Sequence, residues 1–290
     1  MAYAQIGDRA VTISPSISLA ILSLVFFGLG DFAIKRAADD GVRPQHAMMV
    51  QSWFFSSAAV IYAYVTGLLV LTPAVLWGAL TGLLMLIGYT SFMRSLIGEA
   101  VSIQAPVFRL NFIVTTILAF AVLDEALTLA KAAALLLALA AVWLLLGGGR
   151  LTISRRALGQ VLLATLALGV GNIIYKFGLL QGAVAESLVA VQACVFVILA
   201  TGRVLLTEKP VRIPAAAFRY PPLSGILLVS AFICLVRGLA SGEASVVVPI
   251  SQMGFVVTAI LGVGLLGEHL TARKAAGLIA AVLSLVAFAM

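Results

Sequence analysis

Long apolar runs dominate this chain, and charge, proline and clustered glycine interrupt them. Breaking the sequence at those interruptions leaves ten runs, roughly 17–37, 46–67, 74–94, 100–122, 128–147, 158–178, 184–206, 221–240, 244–265 and 272–290. A bilayer core is crossed by about 20 apolar residues in a helix, so each run predicts a transmembrane helix. Most connections are short; the longest, from Thr207 to Tyr220, is basic and contains proline. Residues 1–16 form a mixed, polar tail that leads straight into a spanning run. That pattern predicts a signal anchor with no separate cleaved peptide.

The pattern also repeats. GEAVSIQAP at Gly98 returns as GEASVVVP at Gly242, and beyond the prolines a fixed offset of 143 pairs Pro106 with Pro249, Phe112 with Phe255, Thr115 with Thr258 and Glu125 with Glu268. Earlier in each half the offset is 141: GLGDFAIK from Gly28 matches GVGNIIYK from Gly169, Gly41 matches Gly182, and Gln51 matches Gln192. Each half holds five spans. Five is odd, so the second half must enter the bilayer upside down. The expected fold is all-α and polytopic, with ten transmembrane helices as two inverted five-helix repeats around a central cavity, the layout of secondary transporters. The expected divisions are a tail over 1–16, a first repeat over 17–147, a linker over 148–157 and a second repeat over 158–290.

Composition strengthens this reading. The chain is 63% hydrophobic and 10% charged, with mean hydropathy +1.18; soluble domains are about half apolar and a quarter charged. The net charge of +7 sits in loops and suits anionic lipid. With no soluble domain and no aromatic-interleaved basic patch, nucleic-acid binding is not expected. Cys194 and Cys234 lie in apolar runs and read as small core residues, not as a disulfide.

Polar residues inside the runs carry the candidate chemistry. Arg109, mid-span with Asn111 nearby, has Gln252 as its repeat counterpart. An Arg at mid-membrane costs about 2.5–3.5 kcal/mol on insertion scales and faces a cavity or a partner. Either Arg109 binds substrate or it pairs with Asp31. Asp31 and Lys35 share a helix face, and Asn172 and Lys176 recur at their repeat positions. Tyr89, with Thr90 and Ser91, could line the cavity. The candidate substrate-binding set is therefore Arg109, Asn111, Tyr89, Asp31, Asn172 and Gln252. Lys35 with Gln51, and Lys176 with Gln192, are candidate gates at opposite faces. Pro106 and Pro249 are candidate hinges, each freeing a carbonyl four residues back, at Ser102 and Ser245. Gly28, Gly30, Gly169 and Gly171 read as close-packing positions.

Gly-Leu-Gly-Asp at Asp31 also matches the motif around a catalytic Asp of intramembrane aspartyl proteases. Such an enzyme needs two carboxylates sharing a site; the repeat partner of Asp31 is Asn172, and Asp124 falls in a loop. His46 and His269 belong to no metal motif, and no P-loop is present. No metal or cofactor is expected.

Each half ends in the same turn before its last helix: DEALTLAKAA from Asp124 and GEHLTARKAA from Gly267. With the two five-span repeats, these turns resemble the EamA type of the drug/metabolite transporter superfamily, over essentially the whole chain. The resemblance implies export of amino acids or related metabolites; other relatives carry nucleotide sugars or sugar phosphates. It also implies cytoplasmic termini, whereas the distribution of Lys and Arg puts the termini outside the cytoplasm. Aromatic amino-acid exporters of this type often have Trp in the first helix, where this chain has Gly28 to Asp31.

The expected function is thus a secondary transporter in the cytoplasmic (inner) membrane, moving a small polar, anionic or zwitterionic metabolite by alternating access, with coupling to protons or substrate exchange. Its partners are that metabolite and the lipid bilayer. The alternatives are a proton-coupled cationic drug antiporter using Asp31 and, from another class, the aspartyl protease.

Overall fold

The computed structural model describes residues 14–95, 107–146, 154–266 and 269–289. The helices are α1 (Pro15–Asp39), α2 (Pro44–Val65), α3 (Leu76–Ser95), α4 (Asn111–Val122), α5 (Leu129–Leu146), α6 (Arg155–Leu180), α7 (Ala185–Thr207), α8 (Pro221–Ser241), α9 (Ala244–Gln252), α10 (Phe255–Leu266) and α11 (Ala272–Ala289). Short 3₁₀ turns precede α3 (Pro73–Val75) and α8 (Ala215–Phe218). Among the described residues, eight helical stretches are long and apolar enough to cross a membrane, one of them α9 and α10 together; Val107–Val122 and Leu129–Leu145 are shorter apolar helices.

Local chemistry starts and stops the corresponding helices of the two halves in the same way. Ser14 and Ser154 cap α1 and α6 by accepting from the amides of Ile17 and Ala157, satisfying donors that a helix start leaves orphaned. At the far ends, Gly41 and Gly182 adopt φ of 75° and 86°, a backbone region that glycine enters without strain. The closing hydrogen bonds match one for one: Asp40, Gly41 and Val42 donate to Arg36, Ala38 and Ala37, as Gln181, Gly182 and Ala183 donate to Phe177, Leu179 and Gly178.

Packing follows the same correspondence. The closest pairs are α1 with α8 and α3 with α6; α2 packs on α7 and α8, α3 on α7, and α5 on α11. Exchanging each first-half helix for its second-half counterpart maps α1–α8 onto α6–α3 and α2–α8 onto α7–α3. Close backbone approach explains several of the glycines. A Cβ on Gly28 would lie 2.4 Å from the Gly254 carbonyl oxygen, and one on Gly169 2.9 Å from that of Asn111. At the same contacts Thr258 donates to the Gly28 carbonyl (2.9 Å) and Thr115 to that of Gly169 (3.1 Å).

Three expectations are corrected. Gly171 packs against nothing within 4 Å of a Cβ; it lines a cavity instead. Cys194 is exposed while Cys234 is buried, because Cys194 sits on the outward side of α7. The ninth span is not one continuous helix but breaks at Met253–Gly254. The leading GEAVSIQAP motif, with Ser102 and Pro106, and Gly267 and Glu268 of the closing turn lie outside the described residues.

Candidate functional site

Two chain breaks build the centre of the molecule. In span nine, α9 ends at Gln252, and the amides of Met253 and Val256 donate to the carbonyls of Ile250 and Met253. In span four a helical turn over 107–109 stops at Leu110, and the amides of Leu110 and Ile113 donate to Val107 and Leu110. These are equivalent bonds at the offset of 143. Each break follows the polar residue of its span, Arg109 or Gln252, and carries that side chain into the space between the halves. Helix breaks at membrane depth are tolerated where they line a cavity.

That space is a central cavity of about 60 Å³. Asp31, Tyr89, Arg109, Asn172 and Gln252 all line it, so five of the six residues proposed for substrate are together. Asn111 is not among them. It is buried behind the break, donating to the Phe108 carbonyl at 3.0 Å, with its own side-chain oxygen unpaired. Its role is to shape the break. Thr90 bonds back to Ile87 within α3, and neither it nor Ser91 reaches the cavity.

Arg109 forms an ion pair with Asp31. Asp31 therefore has a partner from another span. The guanidinium cannot shed its proton, so it needs this acceptor. The Asp31 side chain keeps 35% of its surface open, which leaves room for a ligand to share the pair. Among the described residues lining the cavity, Asp31 is joined by the Arg109 cation and by no second carboxylate.

The walls are aromatic, which sequence reasoning missed. Phe27, Phe108, Tyr175 and Phe232 join Tyr89 around the cavity. Phe27 meets Phe232 edge-on at 5.1 Å, and Phe92 stacks under Phe108 at 4.2 Å.

Beside this cavity, Gln51 and Gln192 line one small chamber of about 20 Å³, which shares Met85, Tyr89 and Phe232 with it. Gln51 lies two turns into α2 and donates to Ser224 on α8 (2.7 Å), which donates to the Gly30 carbonyl (2.9 Å). Gln192 is fully buried, accepts from Tyr175 and donates to the Met85 sulfur at 2.6 Å.

Lys176 sits elsewhere, on the wall of a vestibule of about 710 Å³ beside the start of α1. Its ammonium donates to the carbonyls of Leu239 (2.6 Å) and Gly242 (2.8 Å), where the end of α8 offers negative partial charge. Glu125 accepts from the amides of Ala244 (2.7 Å) and Ser245 (2.9 Å), capping α9, and Lys131 pairs with Glu243. The turn between α8 and α9 is thus held by three charged side chains. Lys35 lies one turn from the other end of α1, at the face opposite the vestibule. Pro249 is buried inside α9, one turn before the break; Pro106 is outside the described residues. Among the described residues, no three His, Cys, Asp or Glu side chains gather as metal ligands would.

A family model described as the EamA-like transporter family matches residues 14–147 and again 155–290. A solved crystal structure of a protein 15% identical in sequence superposes with a TM-score of 0.81, covering 94% of this chain and 95% of that one. At such identity the likeness concerns the fold alone. No curated protein matches the sequence.

Proposed function

The chain belongs to the EamA-like transporter family, and from that premise we propose a secondary transporter exporting a small metabolite with a carboxylate or other anionic group by alternating access. It is a multi-pass membrane protein, and in this reading its two repeats are five-span units inserted with opposite orientation in an inner membrane. The observation that carries the proposal is the Arg109–Asp31 ion pair lining a cavity between the halves, with Asn172 and Gln252 beside it. Arg presents a planar fork that grips a carboxylate bidentately, and Asp31 offers the complementary acceptor for an ammonium. A zwitterion such as an amino acid satisfies both, and the aromatic walls take its apolar part. Export is taken from the family resemblance.

A cationic drug brings no carboxylate for Arg109, so beside Asp31 it would face the uncompensated guanidinium as a second cation. The test is a panel of labelled amino acids and related carboxylates in proteoliposomes, with and without a proton gradient. Saturable uptake of a carboxylate-bearing member, competed by its unlabelled form, is expected. Transport restricted to lipophilic cations would overturn the assignment.

A further inference from the structure

Gln51 and Gln192 recur in register, yet they meet in one chamber and not at opposite faces of the molecule. Among the described residues, no charged side chain lines that chamber. Ser52 joins the two amides there, and the rest of the wall is apolar or aromatic.

The hydrogen bonds decide which end of each amide is already occupied. Ser224 gives its hydroxyl proton to the Gly30 carbonyl (2.9 Å), so toward Gln51 it only accepts, and Gln51 Nε2 is the donor (2.7 Å). Among the described residues, no group donates to Gln51 Oε1. Gln192 is the converse. Tyr175 donates to its Oε1, and its Nε2 meets the Met85 sulfur at 2.6 Å. A thioether is a weak acceptor, and Gln192 is fully buried, so this amide lacks a full-strength partner. Ser52 directs its proton to the Met49 carbonyl within α2 (2.7 Å) and toward the chamber only accepts. The chamber therefore presents one poorly matched donor, Gln192 Nε2, and two acceptors, Gln51 Oε1 and Ser52 Oγ.

We infer that this chamber is a second subsite that reads the far end of the substrate, selecting a zwitterion whose side chain ends in a small neutral group able both to donate and to accept, a hydroxyl or a carboxamide. The inference rests on the transporter reading of the central cavity and adds the side-chain class to it. Met85 is the partition. It lines both spaces, and its unbranched thioether repacks readily. The incoming oxygen replaces the sulfur on Gln192 Nε2, and the O–H or N–H of the same group goes to Gln51 Oε1. A carboxylate cannot donate to Gln51 and finds no cation in the chamber. An ammonium cannot accept from Gln192 and finds no anion. A methyl group leaves both amides unmatched in a buried site.

Size and position agree with this assignment. A chamber of about 20 Å³ exceeds the roughly 10–15 Å³ that holds one water-sized group, which suits the tip of a short side chain. Tyr175 lines the central cavity and donates to Gln192. The relay from Gln51 through Ser224 ends on Gly30, the residue before Asp31. The two subsites are thus within reach of one small molecule, its charged end on Arg109 and Asp31 and its side chain on the paired amides.

The test measures uptake into proteoliposomes, and binding to the purified protein by thermal shift, for threonine against valine and asparagine against leucine, pairs of similar shape, with aspartate as the charged comparison. The unmodified protein should favour threonine over valine, and asparagine over leucine and aspartate, by about tenfold or more. In Gln51→Leu and Gln192→Leu these ratios should fall toward equality, whereas a merely structural role would lower both members of a pair alike. Where Gln192→Leu costs stability by stranding Tyr175, Gln51→Leu, which leaves Ser224 on Gly30, carries the same comparison. Equal handling of each pair by the unmodified protein, or ratios that survive both substitutions, overturns the subsite, and uptake of any of these amino acids then leaves the transporter reading standing. Selective binding without movement across the bilayer keeps the subsite and overturns the transporter reading. No binding of any of the five probes overturns the subsite, whatever the wider panel of carboxylates shows.

Discussion

At the scale of single residues, Arg109 decides most. Losing a charge-assisted hydrogen bond is worth about 1.5–3 kcal/mol, so Arg109→Gln should weaken transport by roughly one to two orders of magnitude. Folding should largely survive, because Gln252 shows that an amide fits beside the equivalent break and because Asp31 opens onto the cavity. Arg109→Lys should rescue poorly, since a point charge lacks the planar fork. Uptake and melting temperature measured on the same purified variants check this; normal uptake by a well-folded Arg109→Gln protein would sink the binding role. Gly28 sets a different constraint. A Cβ there would meet the Gly254 carbonyl and Val257 at 2.4 and 2.5 Å, and overpacking of this sort costs about 1–3 kcal/mol. Gly28→Ala should lower detergent stability, whereas Gly171→Ala, with open space around it, should leave stability unchanged and alter uptake if the cavity binds substrate. Equal loss of stability in both variants would show that the packing contrast is wrong.

At the scale of elements, the broken spans explain what could and could not be read from sequence. The two repeats, the all-helical membrane character and most cavity polar residues were legible, because polar groups in an apolar context are few and recur in register: Thr115 with Thr258, Gln51 with Gln192, Asp31 with Asn172. The breaks themselves were not. Pro249 pointed to span nine, but the helix gives way at Met253–Gly254, set by packing of Gly254 on Phe27 and Gly28, a contact between distant segments. The aromatic walls were hidden for a similar reason: a Phe in an apolar run looks the same whether it faces lipid or a cavity. Glu125 was visible only as a repeated turn residue, whereas its place is on the amides of Ala244 and Ser245. Removing its charge with Glu125→Gln weakens an N-cap whose loss costs about 1 kcal/mol, and it should loosen the α8–α9 turn. Hydrogen exchange of peptides covering 240–250 should rise in that variant and not in Glu243→Gln, which leaves the two amide contacts in place. No change in either would show that the cap does not hold the turn.

At the scale of the whole molecule, charge sorts the two faces. Among the described residues, the face where α1 begins carries Lys131, Lys176 and Arg237, and each is tied internally: to Glu243, to the carbonyls closing α8, and to Glu186. The opposite face carries Lys35, Arg36, Arg43, Arg94, Arg155, Arg156, Arg203, Lys209, Arg212, Arg219, Arg273 and Lys274. Positive charge in short loops is retained in the cytoplasm, so this second face should be cytoplasmic and the vestibule should open outward. The consequence for transport is specific. The conformer described here would face the release side of an exporter. Single cysteines at Leu71, beside the vestibule face, and Ala215, in the long basic connection, settle the orientation in a background without Cys194 and Cys234. A membrane-impermeant maleimide on intact cells should label Leu71→Cys and should reach Ala215→Cys only after permeabilisation. The reverse pattern would place the vestibule in the cytoplasm, as the family resemblance implies, and would make the conformer described here the loading state.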